Sequence, residues 1–275
     1  KSSKTLEACK TAFDHLIEIV GNKTVFSINQ SDADLFVNKL HEKLRKSSIN
    51  IYLRQLKSSF NIAIEYGYIT DNPFKKVKEL RVPDKLRPNL SDEDIEKLFK
   101  VIDNPLIIKI VKFALYTGMR ISEIINLQWN DIDFKKEIIS VKNKETFSTK
   151  TRKDREIGLT STILNLLNHC QNEYGNIIEI KNGCSYVFGN KNGFRCASSY
   201  ISKQFKIYVR KAGLNDKICF HSLRHTALTK MATSGMPLSI LKDLAGHTSL
   251  STSQKYLHAD METLRNCMET VNYKF

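Results

Sequence analysis

The hydrophobic pattern of this chain breaks once, and the break sets what the rest can fold into. Between Lys75 and Pro88 the sequence is basic, carries Pro83 and Pro88, and shows no apolar period. Such a segment cannot lay one face against a core, so the 275 residues divide into two bodies. The pattern predicts a helical domain over residues 1–82, a linker over residues 83–90 and a second domain over residues 91–275. Each has the means to fold, since 41% of the chain is apolar, and general disorder is excluded. The two sides are also alike in charge: +6 up to Pro88 and +8 beyond it, within a total of +14 from 43 Lys and Arg against 29 Asp and Glu. A basic excess shared by both bodies suits a polyanionic partner rather than a small neutral substrate.

Other classes fall away quickly. The longest apolar stretch, Leu106 to Leu115, is broken by Lys109 and Lys112, well short of the roughly 20 residues that span a bilayer; no membrane partner is expected. Six cysteines stand far apart without a C-x-x-C pair or His-rich ligand spacing, which predicts free thiols in a reducing cytosol and no metal centre. The first residue is Lys, with no charged-then-apolar leader after it, so the sequence reads as a trimmed chain.

Within the first body, Ser48 is the expected cap of a helix over Ile49 to Tyr66, where Ile49, Leu53, Leu56, Phe60, Ala63 and Ile64 recur at helical spacing. Arg54 and Lys57 fall on another face, either solvated or in contact with phosphates. Tyr66 to Pro73 has turn chemistry. In the second body a helix starts near Ser91, with Asp92, Glu93 and Asp94 at its positive end. Pro105–Tyr116 is a second helix and Ile121–Leu127 a third, short one. The period then changes: Ile138–Val141, Glu145–Thr149 and Arg155–Leu159 read as three strands, with Lys150–Asp154 as a polar turn. Helical patterns return from Ser161. The expected class is mainly α with a small antiparallel β-sheet. Trp129 reads as core packing.

Four clusters could carry chemistry: Thr117-Gly118-Met119-Arg120-Ile121-Ser122-Glu123, Thr149-Lys150-Thr151, His221-Ser222-Leu223-Arg224-His225-Thr226, and Gly246-His247-Thr248-Ser249 followed by Tyr256. Each alone is weak evidence. Together, in this order, they resemble the tyrosine recombinase or phage-integrase family, and the resemblance extends over essentially the whole chain. It implies a helical core-binding (SAM-like) domain followed by a catalytic domain whose active site is Arg120, Lys150, His221, Arg224, His247 and Tyr256, supported by Glu123. Ser222 and Ala245 depart from the residues most frequent at those places, neither of which supplies the reacting group. Lys142, Lys144, Arg152 and Lys153 compete with Lys150 in the turn.

The chemistry of these residue types agrees. Attack on a phosphodiester gathers negative charge on a five-coordinate phosphorus, and two guanidiniums match its oxygens while staying protonated. His221 and Arg224 are three apart, so one helix face can aim both at one phosphate. A tyrosine hydroxyl is a poor nucleophile unless cations favour the phenolate or a base takes its proton; His221 is a candidate base, and a lysine on a hairpin can protonate the departing 5′ oxygen. No Walker-type loop or two-metal carboxylate cluster occurs in the sequence, and neither ATP, a metal nor another cofactor is expected.

The resemblance further implies a C-shaped clamp on double-stranded DNA, a 3′-phosphotyrosyl intermediate, and a homo-tetramer exchanging strands through a Holliday junction, with accessory DNA-bending or directionality factors as further partners. Arg54, Lys57, Lys144, Arg152 and Lys153 are the expected DNA contacts, the last three within a run from Lys135 to Arg155 holding eight basic and three acidic residues. Leu257–Phe275, with Met261, Leu264, Met268 and Val271 at helical spacing, packs on a neighbouring protomer or on its own domain. The location implied is the bacterial cytoplasm, at the nucleoid. An integrase of a mobile genetic element is preferred to a chromosome-dimer resolvase. The rivals are a type IB topoisomerase, a regulator using Leu238–Tyr256 as a non-catalytic helix-turn-helix, and a metal-dependent nuclease.

Overall fold

The structure, a computed structural model, describes residues 3–83, 88–144, 154–174, 186–190, 193–254 and 256. The chain forms two compact units, residues 1–85 and 86–275. No helix of the described residues is long and apolar enough to cross a membrane.

Three helices build the first unit: α1 (Ser3–Val20), α2 (Gln30–Lys43) and α3 (Lys46–Glu65). Asn29 starts α2 through a reciprocal capping box with Asp32. The α3 helix begins three residues before its predicted start, because Arg45 is extended and the Ser48 backbone N–H already donates to the Arg45 carbonyl; Ser48 is therefore inside the first turn, not its cap. Ile49, Leu53, Leu56 and Phe60 face the core as expected. Phe74 closes the core from the following loop, edge-on to Phe36 with centroids 6.0 Å apart. Asn72 holds that loop: its amide nitrogen donates to the Lys57 carbonyl (2.9 Å) and to Asn61 Oδ1 (2.6 Å), and its Oδ1 accepts from the Phe74 N–H (2.9 Å). The basic stretch after it is no free linker at its start. Val77 is buried, and the Leu80 backbone exchanges two hydrogen bonds with the Asn50 side chain, 2.8 and 2.9 Å.

The second unit opens with α4 (Asp92–Val101), starting at Ser91 as the sequence indicated, and Ser91 and Asp94 form its capping box. The next helix, α5 (Pro105–Thr117), is nearly all apolar because it is buried on most of its circumference, and it packs against α7 (Ser161–Tyr174), α8 (Ser198–Lys211) and α9 (Phe220–Thr233). Between α5 and α7 lie the short α6 (Ile121–Ile124), ending before the predicted Leu127, and the sheet. Two further short helices, α10 (Leu238–Ala245) and α11 (Leu250–Gln254), complete the described fold. Trp129 packs against the main core and stacks on Phe134, centroids 6.5 Å apart.

The described sheet contains one strand that the sequence did not predict. Its order is β1 (Ile132–Asp133), β2 (Ile138–Val141), β3 (Arg155–Gly158), all antiparallel. The β2 and β3 strands are direct neighbours, with Ile139 opposite Ile157 and Val141 opposite Arg155. The third strand is β1, on the other side of β2 and too short to show an alternating pattern. Glu145–Thr149, predicted as a strand, and most of the predicted turn, including Lys150, Arg152 and Lys153, lie outside the described residues, as does Leu257–Phe275.

Candidate active site

Arg120 and Glu123 are placed by the end of α5. Thr117 Oγ1 donates to the Phe113 carbonyl (2.6 Å) and accepts from the Met119 N–H (3.3 Å), tightening the last turn. Gly118 then takes a left-handed conformation (φ 61°) that ends the helix; a Cβ here would stand 3.2 Å from Leu228. Arg120 becomes the cap residue of α6, and Glu123 folds back on it, accepting the Arg120 backbone N–H (2.9 Å) and its Nη1–H (2.9 Å).

Glu123 is 2% exposed, and a second guanidinium shares it. Arg155, the first residue of β3, donates from Nη1 to Oε1 (3.1 Å) and from Nη2 to Oε2 (2.7 Å). Burial works to raise the Glu123 carboxyl, but the hydrogen bond and charge of Arg155, with those of Arg120, outweigh it and leave the group below the usual carboxylate range. In the sequence Arg155 is only the start of an expected strand and the last cation of a basic run.

Arg224 lies one turn into α9 and is 2% exposed. Its Nη1 donates to the Gly118 carbonyl (2.7 Å) and its Nη2 to the Ala245 carbonyl (2.6 Å), at the C-terminal ends of α5 and α10. Helix C-termini carry partial negative charge, so two of them hold this cation in place. Burial first, and then repulsion from Arg120, lower its pKa to about 10, while Glu123 and an ionised Tyr256 oppose the fall; it stays cationic at neutral pH. These bonds, with one to His247, use three of its five N–H groups.

The α10 helix ends at Gly246 (φ 60°), where Arg120 Nη2 donates to the carbonyl (3.2 Å). His247 follows at once. Its Nε2 lies 3.2 Å from Arg224 Nη2 and its Nδ1 2.7 Å from Ser253 Oγ. Since a guanidinium can only donate, Nε2 accepts and the ring proton sits on Nδ1, donating to Ser253. Burial first, then Arg224, Arg120 and Arg155, lower the His247 pKa to about 4, so the ring is neutral near pH 7. As placed, its Nε2 is an acceptor.

Tyr256 is 8% exposed. Its ring stacks on His247 (centroids 5.9 Å apart, planes 7° apart) and receives His225 edge-on (4.9 Å, 83°). Thus Arg120, Glu123, Arg224, His247 and Tyr256, spread over more than half the second unit's length, meet in one pocket of one protomer. His221 lies in the first turn of α9, one turn before Arg224, and is exposed. His225, in the same cluster but given no role from the sequence, lies against Tyr256. The Lys150, Arg152 and Lys153 assignments fall outside the described residues.

The remaining expected DNA contacts have internal partners. Lys144 Nζ donates to Asp131 and to Gln128, both at 2.6 Å. In the first unit, Arg54 forms a two-bond fork with Glu79 (2.9 and 2.7 Å), and Lys57 donates to the Val77 carbonyl.

Guanidiniums gathered near a buried tyrosine on a mainly helical frame suit a class of protein that acts on phosphodiesters. Family comparison names it: the phage integrase family matches residues 88–263, and the phage integrase SAM-like domain matches residues 1–79. The chain belongs to the phage integrase family and is a tyrosine recombinase. Tyrosine recombinase XerA of Pyrococcus horikoshii is 31% identical over 240 residues, covering 84% of this chain and 78% of its own. The fold is similar to that of the Tn1549 transposon integrase in complex with a circular intermediate DNA (TM-score 0.81, 22% identity, 98% of this chain and 95% of that one). It is also similar to lambda integrase in a tetramer bound to a Holliday junction (0.75, 16%, 93% and 72%).

Proposed function

We propose that the protein is the integrase of a mobile genetic element, and that it cuts and rejoins double-stranded DNA at defined sites through Tyr256. The observation that carries this is a chain of contacts within one protomer: Tyr256 stacks on His247, His247 accepts from Arg224, and Arg120 is held at the Gly246 carbonyl next to His247. In the reaction, the Tyr256 oxygen forms a bond to the scissile phosphorus as the bond to the 5′ oxygen breaks, leaving a 3′-phosphotyrosyl ester and a free 5′ hydroxyl. Arg120 and Arg224 neutralise the charge that builds on phosphorus, and attraction between Arg224 and an ionised Tyr256 favours attack. His221 is assigned the phenolic proton, and Lys150 the protonation of the leaving oxygen. Resealing by a 5′ hydroxyl reverses these steps and consumes no nucleotide. Glu123 supports Arg120.

Pairing of two DNA sites by four protomers, with strand exchange through a Holliday junction, is supported by the similarity to lambda integrase. Arg54 and Lys57, released from Glu79 and Val77, and the hairpin cations Lys144, Arg152 and Lys153 are assigned to the DNA backbone, at the nucleoid. A domain division at residues 83–90, with a core-binding domain ahead of the catalytic one and a clamp around the duplex, belongs to the same proposal. The XerA relative favours one second reading, a chromosome-dimer resolvase.

The test uses DNA flanking the gene. Footprinting locates the site, and nicked suicide duplexes made from it trap the covalent adduct on denaturing gels. Wild-type protein is expected to form the adduct, and Tyr256→Phe to bind the same DNA and form none. An adduct surviving in the variant overturns the nucleophile; adducts mapping to a chromosomal terminus site rather than the element's ends favour the resolvase.

A further inference from the structure

Arg155 is assigned no step in the proposed reaction, yet it is bound into the site by as many hydrogen bonds as Arg224, which is. Its side chain is 7% exposed and held at three points: both Glu123 oxygens, through Nη1 and Nη2, and the Leu244 carbonyl, through Nε at 2.8 Å. It reaches across 32 residues to one partner and 89 to the other. It thereby joins the base of the β2–β3 hairpin to the α6 cap carrying Arg120 and to the end of α10 that leads into His247.

The carboxylate of Glu123 has room for about four hydrogen bonds, and all four are made: the Arg120 backbone N–H, Arg120 Nη1, and the two from Arg155. With half of that demand met by Arg155, Arg120 gives the carboxylate one Nη1–H and keeps Nη2 on the Gly246 carbonyl. If Arg155 were absent, two acceptor positions on a buried anion would open, and the nearest cation able to fill them is Arg120 itself. A buried charge that loses a partner is costly, so the Arg120 guanidinium would be drawn further onto Glu123 and away from a phosphate. Gly246 fits the same arrangement: a Cβ there would meet Arg155 Nη1 at 3.2 Å and Arg120 Nη1 at 3.5 Å.

We propose that Arg155 is a positioning residue, which saturates Glu123 so that Arg120 stays presented to the scissile phosphate and which anchors the α10 end bearing His247, without touching DNA itself. The inference rests on the catalytic reading above. Its test uses the suicide duplex on which wild-type protein forms adduct; if wild type forms none, the catalytic reading fails and not this one. Under single-turnover conditions with protein in excess, Arg155→Met is expected to form adduct about 10²-fold more slowly while its Kd for the duplex rises less than about threefold. Arg155→Lys, which returns the charge but not the fork, is expected to recover about tenfold of that loss, and it carries the test should the Met variant fail to fold. In a Glu123→Gln background, adding Arg155→Met is expected to slow the reaction by less than about fivefold, because the shared partner is already changed. Wild-type adduct rates in Arg155→Met would overturn the proposal. So would equal losses in rate and DNA affinity, which mark a direct phosphate ligand, or a full 10²-fold further loss in the Glu123→Gln background.

Discussion

His247 gives the pocket a measurable pH signature. Its folded pKa is lowered to about 4, by burial first and then by Arg224, Arg120 and Arg155, from an ordinary 6.5. As pH falls below 6.5, the unfolded chain takes up a proton at this ring and the folded chain does not, so stability is lost on acidification until pH reaches the folded value. With those two pKa values the loss between pH 7 and pH 5 is about 2 kcal/mol, and it levels off near 3 kcal/mol below pH 4. Glu123, whose pKa is lowered from 4.5, sheds its own contribution only below that range and does not confuse the comparison. The assay is urea unfolding of the transition belonging to residues 86–275, at pH 7 and pH 5, for wild type and His247→Gln. The Gln amide retains a hydrogen-bonding side chain but does not titrate. All other groups titrate in both proteins and cancel in the difference. Wild type is expected to lose about 2 kcal/mol more than the variant; losses equal within about 0.5 kcal/mol would show that the ring is not held neutral and would refute the tautomer drawn from its contacts.

Further outcomes follow from the same geometry. Gly246→Ala combines a left-handed backbone (φ 60°) with a Cβ crowding Arg155 and Arg120; a cost of about 1–2 kcal/mol in thermal unfolding is expected, with adduct formation slowed by more than that strain alone produces. In the first unit, Asn72→Ala leaves the Phe74 N–H and the Lys57 carbonyl without this side chain, and a loss of about 2–3 kcal/mol is expected in denaturant unfolding. A loss under about 0.5 kcal/mol would show that the loop does not depend on it.

What was legible in the sequence was local. The start of α4 near Ser91, the apolar run of α5, and the two strands that pair as β2 and β3 are written in signals of a few residues, and each is found where expected. The family motifs likewise marked Arg120, Arg224, His247 and Tyr256, which the fold brings together. The misreadings have physical causes. A two-residue strand such as β1 has no period to detect, and the start of α3 was set by the extended backbone at Arg45 rather than by the better capping residue at Ser48. Arg155 sits in a basic run where any one cation resembles its neighbours. Its burial is imposed by Glu123 and Leu244, whose approach exists only after the chain has folded. His225 was passed over for the same reason: its tie to Tyr256 spans 31 positions and leaves no mark in the residues beside either.

Arg224 raises a broader point about when this pocket is most at ease. Three guanidiniums, from Arg120, Arg155 and Arg224, crowd a volume to which Glu123 alone among the described acids contributes, and each of the first two pushes proton affinity down at the third. Such mutual repulsion is an appetite for anions built into the fold. A phosphodiester arriving there does more than find ligands, because it quiets a discord among side chains that the protein endures whenever it stands alone.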